Sequence, residues 1–206
     1  MFRLIWKALE QSVVYRTFAD VVGAEAFRRR LVQECIKAKA GDRVLDIGCG
    51  PADWLEVLRD VEYVGVDFNP EYIEAARLRY GDRGSFEVAS VSDNLKEKYH
   101  DFDIVLAMGV LHHLTDDEAD SLLSLAASAL RPGGRFITLD GVLVEKQSPF
   151  ERYLVLRDRG RFVRPKAEYE KLVSRYFGKV ESRVHHGELR IPYTHLSMVC
   201  SLPKAG

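Results

Sequence analysis

The stretch Val44-Leu45-Asp46-Ile47-Gly48-Cys49-Gly50-Pro51-Ala52-Asp53 constrains this chain more than any other. An apolar run enters two glycines, with an acid two positions before the first. A second apolar run, Tyr63-Val64-Gly65-Val66, ends on Asp67. A strand feeding a glycine turn, followed by a second strand that closes on an acid, is a way to hold a nucleoside. The turn makes room for the ligand, and the acid accepts from the two ribose hydroxyls.

Charge narrows the choice of nucleoside. A dinucleotide fingerprint, G-x-G-x-x-G, places a third glycine where the helix packs beneath a pyrophosphate. Asp53 stands at that position, and a carboxylate there repels a pyrophosphate and occupies its anion site. Asp46 adds further negative charge. Two acids beside the turn suit a cationic ligand, and S-adenosylmethionine carries a sulfonium, an ammonium and an adenosine.

The residues that follow make the likeness specific. Val44 to Asp53 resembles motif I of the class I S-adenosylmethionine-dependent methyltransferases, and Val64-Gly65-Val66-Asp67 resembles their second-strand acid motif. Phe102 to Leu106 with Val110-Leu111-His112-His113-Leu114 resembles their fourth strand and the turn after it. Leu130-Arg131-Pro132-Gly133-Gly134 resembles the turn before their fifth strand. The four motifs stand in the family's order. The resemblance implies an α/β fold, a Rossmann-like doubly wound sheet of seven strands, mostly parallel with one antiparallel strand, and helices on both faces. It implies S-adenosylmethionine as methyl donor and S-adenosylhomocysteine as product.

The residue pattern agrees with that fold. Strands are expected near 43–47, 62–66, 84–88, 102–106 and 134–139, alternating with helices near 52–59, 70–79 and 116–129, which implies a parallel sheet between helices. Asn69 and Thr115 are positioned to cap two of these helices. Residues 2–19 read as an amphipathic helix with Phe2, Ile5, Trp6, Leu9 and Val13 on one stripe, and a second helix spans 24–38 with Gly41 marking its end. After Asp140 the pattern turns helical and basic to about 177. Strands at 179–186 and 193–202, joined around Gly187, then close the sheet with a hairpin. The 206 residues thus form one domain, with N-terminal helices over the site in 1–40, a cofactor half in 41–140, and an acceptor segment with the hairpin in 141–206.

Ligands of such sheets bind beyond the carboxyl ends of the strands. Gly48 and Gly50 let backbone approach the methionine portion, with Asp46 and Cys49 in the same turn. Asp67 takes the ribose, and Phe68 packs on adenine or in the core. After the third strand the family often has an acid for the adenine amine. This chain offers Ser90 or Ser92 with Asp93 beyond, and the backbone N–H of Val91 is the partner for a ring nitrogen. The carbonyls of Ala107 and Met108 face the methionine ammonium.

Methyl transfer needs an aligned acceptor, and a base only where the acceptor must lose a proton. His113, then His112, are the candidates, at the exit of the fourth strand. Segment 150–166 holds five arginines and a lysine against two acids, which points to an acceptor cap and an anionic small molecule bound by Arg157 and Arg161. The acceptor atom, O, N or C, is open.

A net charge of −1 and the absence of an Asp/Asn-Pro-Pro-aromatic turn disfavour nucleic acid as acceptor. Three scattered cysteines give neither a disulfide framework nor a zinc pattern and suit a cytoplasmic setting. No metal is expected. The remaining alternatives are a nicotinamide oxidoreductase, a non-catalytic interaction subunit on the same fold, and a lipid or quinone methyltransferase touching a membrane through Phe2, Ile5 and Trp6.

Overall fold

The computed structural model describes residues 23–91, 95–157 and 161–204. The amphipathic stripe at 2–19, and Ser92 and Asp93, lie outside them. The first helix, α1, runs Ala24–Leu31 and continues as a wider π turn, Val32–Ile36. It stops at Lys37, in the left-handed region at φ 51°, before Gly41 is reached. The Arg135 guanidinium, 2.9 Å from both Ile36 O and Lys37 O, satisfies carbonyls at this helix end.

Alternation follows as the sequence predicts. β1 is Arg43–Ile47, β2 Glu62–Asp67, α2 Pro70–Tyr80, β3 Gly84–Val88, β4 Phe102–Met108, α3 Asp116–Ala129 and β5 Leu130–Gly141. The helix expected over 52–59 shrinks to a 3-10 turn, Asp53–Glu56, because the chain closes on itself with Val57 N and Leu58 N both donating to Trp54 O. Asn69 caps α2 by accepting from Glu71 N at 2.9 Å. Thr115 and Glu118 form a capping box on α3. Beyond β5 come α4, Pro149–Arg157, α5, Lys166–Val173, and the strands β6, Phe177–His186, and β7, Thr194–Pro203.

The seven strands lie in the order β3-β2-β1-β4-β5-β7-β6. β7 is antiparallel to both neighbours, with Asp140 opposite Leu196 and His185 opposite His195, and the other pairings are parallel. One apolar cluster packs α3 and α5 on one face through Leu122, Ala126 and Tyr169. The other packs α1 and α2 on the opposite face through Phe27, Leu31 and Ile73. Each fully buried leucine or isoleucine among these contributes roughly 1.5–3 kcal/mol.

Two details matter at the sheet's margins. Asp103 accepts from Arg43 N at 2.9 Å and pairs with Arg131, tying β4 to β1 and β5. Arg77 of α2 reaches over β3, which among the described residues has no strand on its outer side, and donates to Phe86 O at 2.7 Å. The carboxyl ends of β1, β2, β4 and β5 meet along one rim, and strand order reverses between β1 and β4.

Candidate active site

The β1 exit is a turn that only glycine fits. Gly48 has φ 72°, and a Cβ on it would sit 2.7 Å from Val110 Cγ2. The N–H groups of Gly48 and Cys49 both donate to Val66 O, at 2.8 and 3.0 Å, folding the turn against β2. The Cys49 carbonyl accepts from Ala52 N at 3.0 Å, and its thiol is buried over Gly65. The Cys49 side chain therefore faces the core, and its backbone groups are spent inside the turn. Gly50 differs: at φ 54°, a Cβ on it would meet nothing within 4 Å.

Asp67 ends β2 with its carboxylate buried. Oδ2 accepts from Gly50 N and Oδ1 from Asn69 N, each at 2.9 Å. Burial pushes its carboxyl above the usual range, and these two N–H groups oppose the shift. Each oxygen keeps a second lone pair, which suits the two donors of a ribose diol. Phe68 is 76% exposed, which removes the core reading of this ring.

Asp46 is fully buried. Tyr63 donates to Oδ2 at 2.6 Å, while Oδ1 has no partner among the described residues. Burial pushes this carboxyl up to about 7 against the Tyr63 bond, and Asp67 adds repulsion. A cationic ligand group would supply the missing partner, so the donor set fits S-adenosylmethionine. Asp53 requires a correction. Its carboxylate is buried against Arg79 at 2.7 Å, which neutralises the charge expected to repel a pyrophosphate. Of the two acids expected to favour a cation, only Asp46 keeps a buried oxygen without a partner among the described residues.

Ser90 and Val91 follow β3 half-buried, beside the bond from Ala89 N to Asp67 O at 3.0 Å. Ala107 is buried and Met108 half-buried at the end of β4. Gly109 then turns at φ 78°, its N–H donating to Leu139 O at 2.7 Å.

The two histidines occupy a 3-10 turn, Leu111–His113. His112 is buried, and Asp140 Oδ1 lies 2.9 Å from its Nδ1 and 3.2 Å from its backbone N. Its Cε1 lies 3.8 Å from where a Cβ on Gly109 would stand, so the ring edge borders the β4 exit. Asp140 Oδ2 is buried with no partner among the described residues. His113 is exposed, with its ring centroid 4.2 Å from that of His112. Arg164 fixes the turn from below, with Nη1 2.9 Å from Leu111 O and 3.1 Å from Phe162 O, and Nη2 2.9 Å from Leu114 O and 2.7 Å from Asp116. Arg157 and Arg161 remain exposed.

Sequence reasoning missed Asp140 and Arg164. Asp140 closes the fifth apolar run as Asp67 closes the second, a signal that was available. Arg164 was hidden within an arginine-rich segment. On the far side of β5, His185 meets Ser197 Oγ at 2.8 Å and stands edge-on to Phe27. Among the described residues no three His, Cys, Asp or Glu side chains gather as a metal site.

A family model described as methyltransferase domain matches residues 44–134, the span that holds the glycine turn, Asp67 and both histidines. This match agrees with the likeness to the class I S-adenosylmethionine-dependent methyltransferases that the glycine turn and Asp67 carry. Among relatives in this methyltransferase family, 27-O-demethylrifamycin SV methyltransferase from Amycolatopsis mediterranei is 37% identical over 123 residues, covering 55% of this chain and 43% of the relative. Probable tRNA methyltransferase 9B from Homo sapiens is 33% identical over 131 residues, covering 62% and 27%. The chain thus spans less than half the length of these curated relatives. The TehB-like methyltransferase of Corynebacterium glutamicum shares the fold, with a TM-score of 0.64 at 18% identity over 94% of this chain and 98% of that one.

Proposed function

We propose that this methyltransferase moves a methyl group from S-adenosylmethionine to a hydroxyl oxygen of a small-molecule acceptor, with His112, oriented by Asp140, taking the acceptor's proton. S-adenosylmethionine supplies an activated methyl electrophile when bound; Asp46, Asp67, the glycine turn and Phe68 would hold it. The observation that carries the reading is the 2.9 Å contact between His112 Nδ1 and Asp140 Oδ1. It supports a tautomer in which Nδ1 carries the ring proton toward Asp140, with Nε2 as the nitrogen that takes the acceptor's proton. The buried Asp140 carboxylate stabilises the imidazolium that results. His112 thereby ranks above His113, whose ring is exposed. Such a base contributes about 10²–10⁴ in rate. The name of the rifamycin relative likewise carries an oxygen position, 27-O.

Arg157 and Arg161 are exposed, and Arg161 precedes Phe162, whose N–H donates to His112 O at 3.0 Å. They supply forks for an anionic substituent on the acceptor.

The test uses calorimetry and a panel of hydroxylated acids and neutral phenols. S-adenosylmethionine should bind and NAD should not. On an accepted hydroxyl substrate, His112→Gln and Asp140→Asn should each lower kcat by about a hundredfold with cofactor affinity unchanged, and Arg157→Ala with Arg161→Ala should raise KM for acids alone. An unaltered kcat in His112→Gln sinks the base assignment.

A further inference from the structure

Among the described residues, four of the exposed large apolar side chains, Phe150, Tyr153, Leu156 and Phe162, stand together beside Arg157, and none of the four has a role in the reaction proposed above. Around the outer side of α4 follow Arg152, Leu156, Tyr153, Arg157 and Phe150, while Val155 is buried and Glu151 and Leu154 turn inward. Phe150 is 58% exposed, Tyr153 45% and Leu156 55%. A short helix that shows three large apolar side chains to solvent is marked for a partner.

Its place in the fold is set by Glu151. This carboxylate lies 3.4 Å from Thr194 Oγ1 and 3.7 Å from His186 Nδ1. Thr194 begins β7 and His186 ends β6, so both stand on the carboxyl rim that carries the site. Where the chain returns from α4, Phe162 adds another exposed ring directly on the His112 turn.

Charge identifies the partner. The one acid of α4, Glu151, is committed inward, and its exposed charges are Arg152 and Arg157. The Arg157 guanidinium lies 5.3 Å from the Tyr153 ring, alongside the apolar stripe, and Arg161 follows. We propose that the outer face of α4, with Phe162, seats on an anionic lipid surface, so that the crevice faces the membrane and its acceptor arrives from the lipid phase. Apolar side chains would enter the acyl boundary while the guanidinium groups remain at the phosphates. Other occupants fit the charges less well. A second copy meeting this face about a two-fold axis would set the same arginines against each other. Residues 2–19 bring their own cations, Arg3 and Lys7. Among the described residues no helix is long and apolar enough to cross a membrane, so the association is with a surface. It holds whichever group takes the acceptor's proton.

The experiment is co-sedimentation of the full chain with phosphatidylcholine vesicles, with and without phosphatidylglycerol. The protein should bind the anionic vesicles only, and binding should weaken about tenfold on passing from low to high salt. The combined variant Phe150→Ser, Tyr153→Ser, Leu156→Ser should keep the wild-type Tm, since these side chains are exposed, and lose about tenfold in partitioning. Failure of the wild type to sediment with anionic vesicles overturns the proposal. So does undiminished binding by the variant, which would move the contact to another surface such as residues 2–19. A wild-type dimer that the variant converts to monomer would assign the face to a second copy instead.

Discussion

At the exits of β1 and β2, Asp46 keeps a buried oxygen without a described partner and Gly50 borders open space. In the half that follows Asp140, Arg164 makes four hydrogen bonds within the domain and His185 is locked to Ser197. The first region has polar capacity in reserve for a ligand; the second spends its buried polar groups on holding the chain. Its remaining freedom is at the surface, in the arginines and apolar side chains of α4. On the reading proposed above, the cofactor would meet buried shape and charge, and the acceptor would meet the surface of α4 on its way to the buried His112.

Substitution of Arg164 strains this contrast most. Arg164→Met leaves the carbonyls of Leu111, Leu114 and Phe162 without this donor, and thermal melts should show a loss of about 3 kcal/mol. Because the same clamp holds the His112 turn, kcat should fall while S-adenosylmethionine affinity stays near wild type. An equal loss of cofactor affinity would mean the two regions are not separable.

The two glycines of the turn divide along the same line. Gly48→Ala adds a methyl 2.7 Å from Val110 at a left-handed position and should destabilise by about 3 kcal/mol. Gly50→Ala meets nothing, so its strain should cost about 1 kcal/mol. Its methyl projects into the crevice and should weaken cofactor binding about tenfold. Calorimetry alongside melts separates a structural glycine from a ligand-facing one; equal effects of both substitutions would erase that distinction.

The buried titrating groups of the two regions should pull stability in opposite directions with pH. Burial lowers His185 from 6.5 to about 4. The unfolded chain takes up this proton first as pH falls, so stability is lost between about 6.5 and 4, by up to about 3 kcal/mol. Asp46 is raised from 3.8 to about 7, so its unfolded form releases the proton first and stability is lost as pH rises through that window. His185→Gln should flatten the acid limb of a Tm-against-pH curve, and Asp46→Asn should raise Tm above pH 7 while weakening S-adenosylmethionine. A cation beside Asp46 favours its carboxylate, so cofactor affinity should climb with pH up to about 7 and then level.

The fold was legible in the sequence wherever neighbours along the chain decide the structure. All seven strands, the Asn69 cap and the Thr115 capping box arise from residues a few positions apart. The glycine turn belongs to the same class, since its left-handed backbone needs residues without a Cβ. What was missed depends on distant partners. Nothing near Asp53 in sequence announces that Arg79 will neutralise it. Arg164 reads as one of five arginines until the fold carries it back to Leu111. The stop at Lys37 likewise reflects how the chain packs, with Arg135 of β5 reaching back to the end of α1.

Arg77 has a wider consequence. β3 offers an open row of peptide groups, the kind of margin along which two molecules join into a continuous ribbon. By donating to Phe86 O, the guanidinium fills part of that row with a bulky charge. The safeguard rides on α2, so it lasts only while that helix is docked. Heat or solvent that peels α2 away would uncover a sticky margin before the rest of the domain gives way, and precipitation of this protein would begin there.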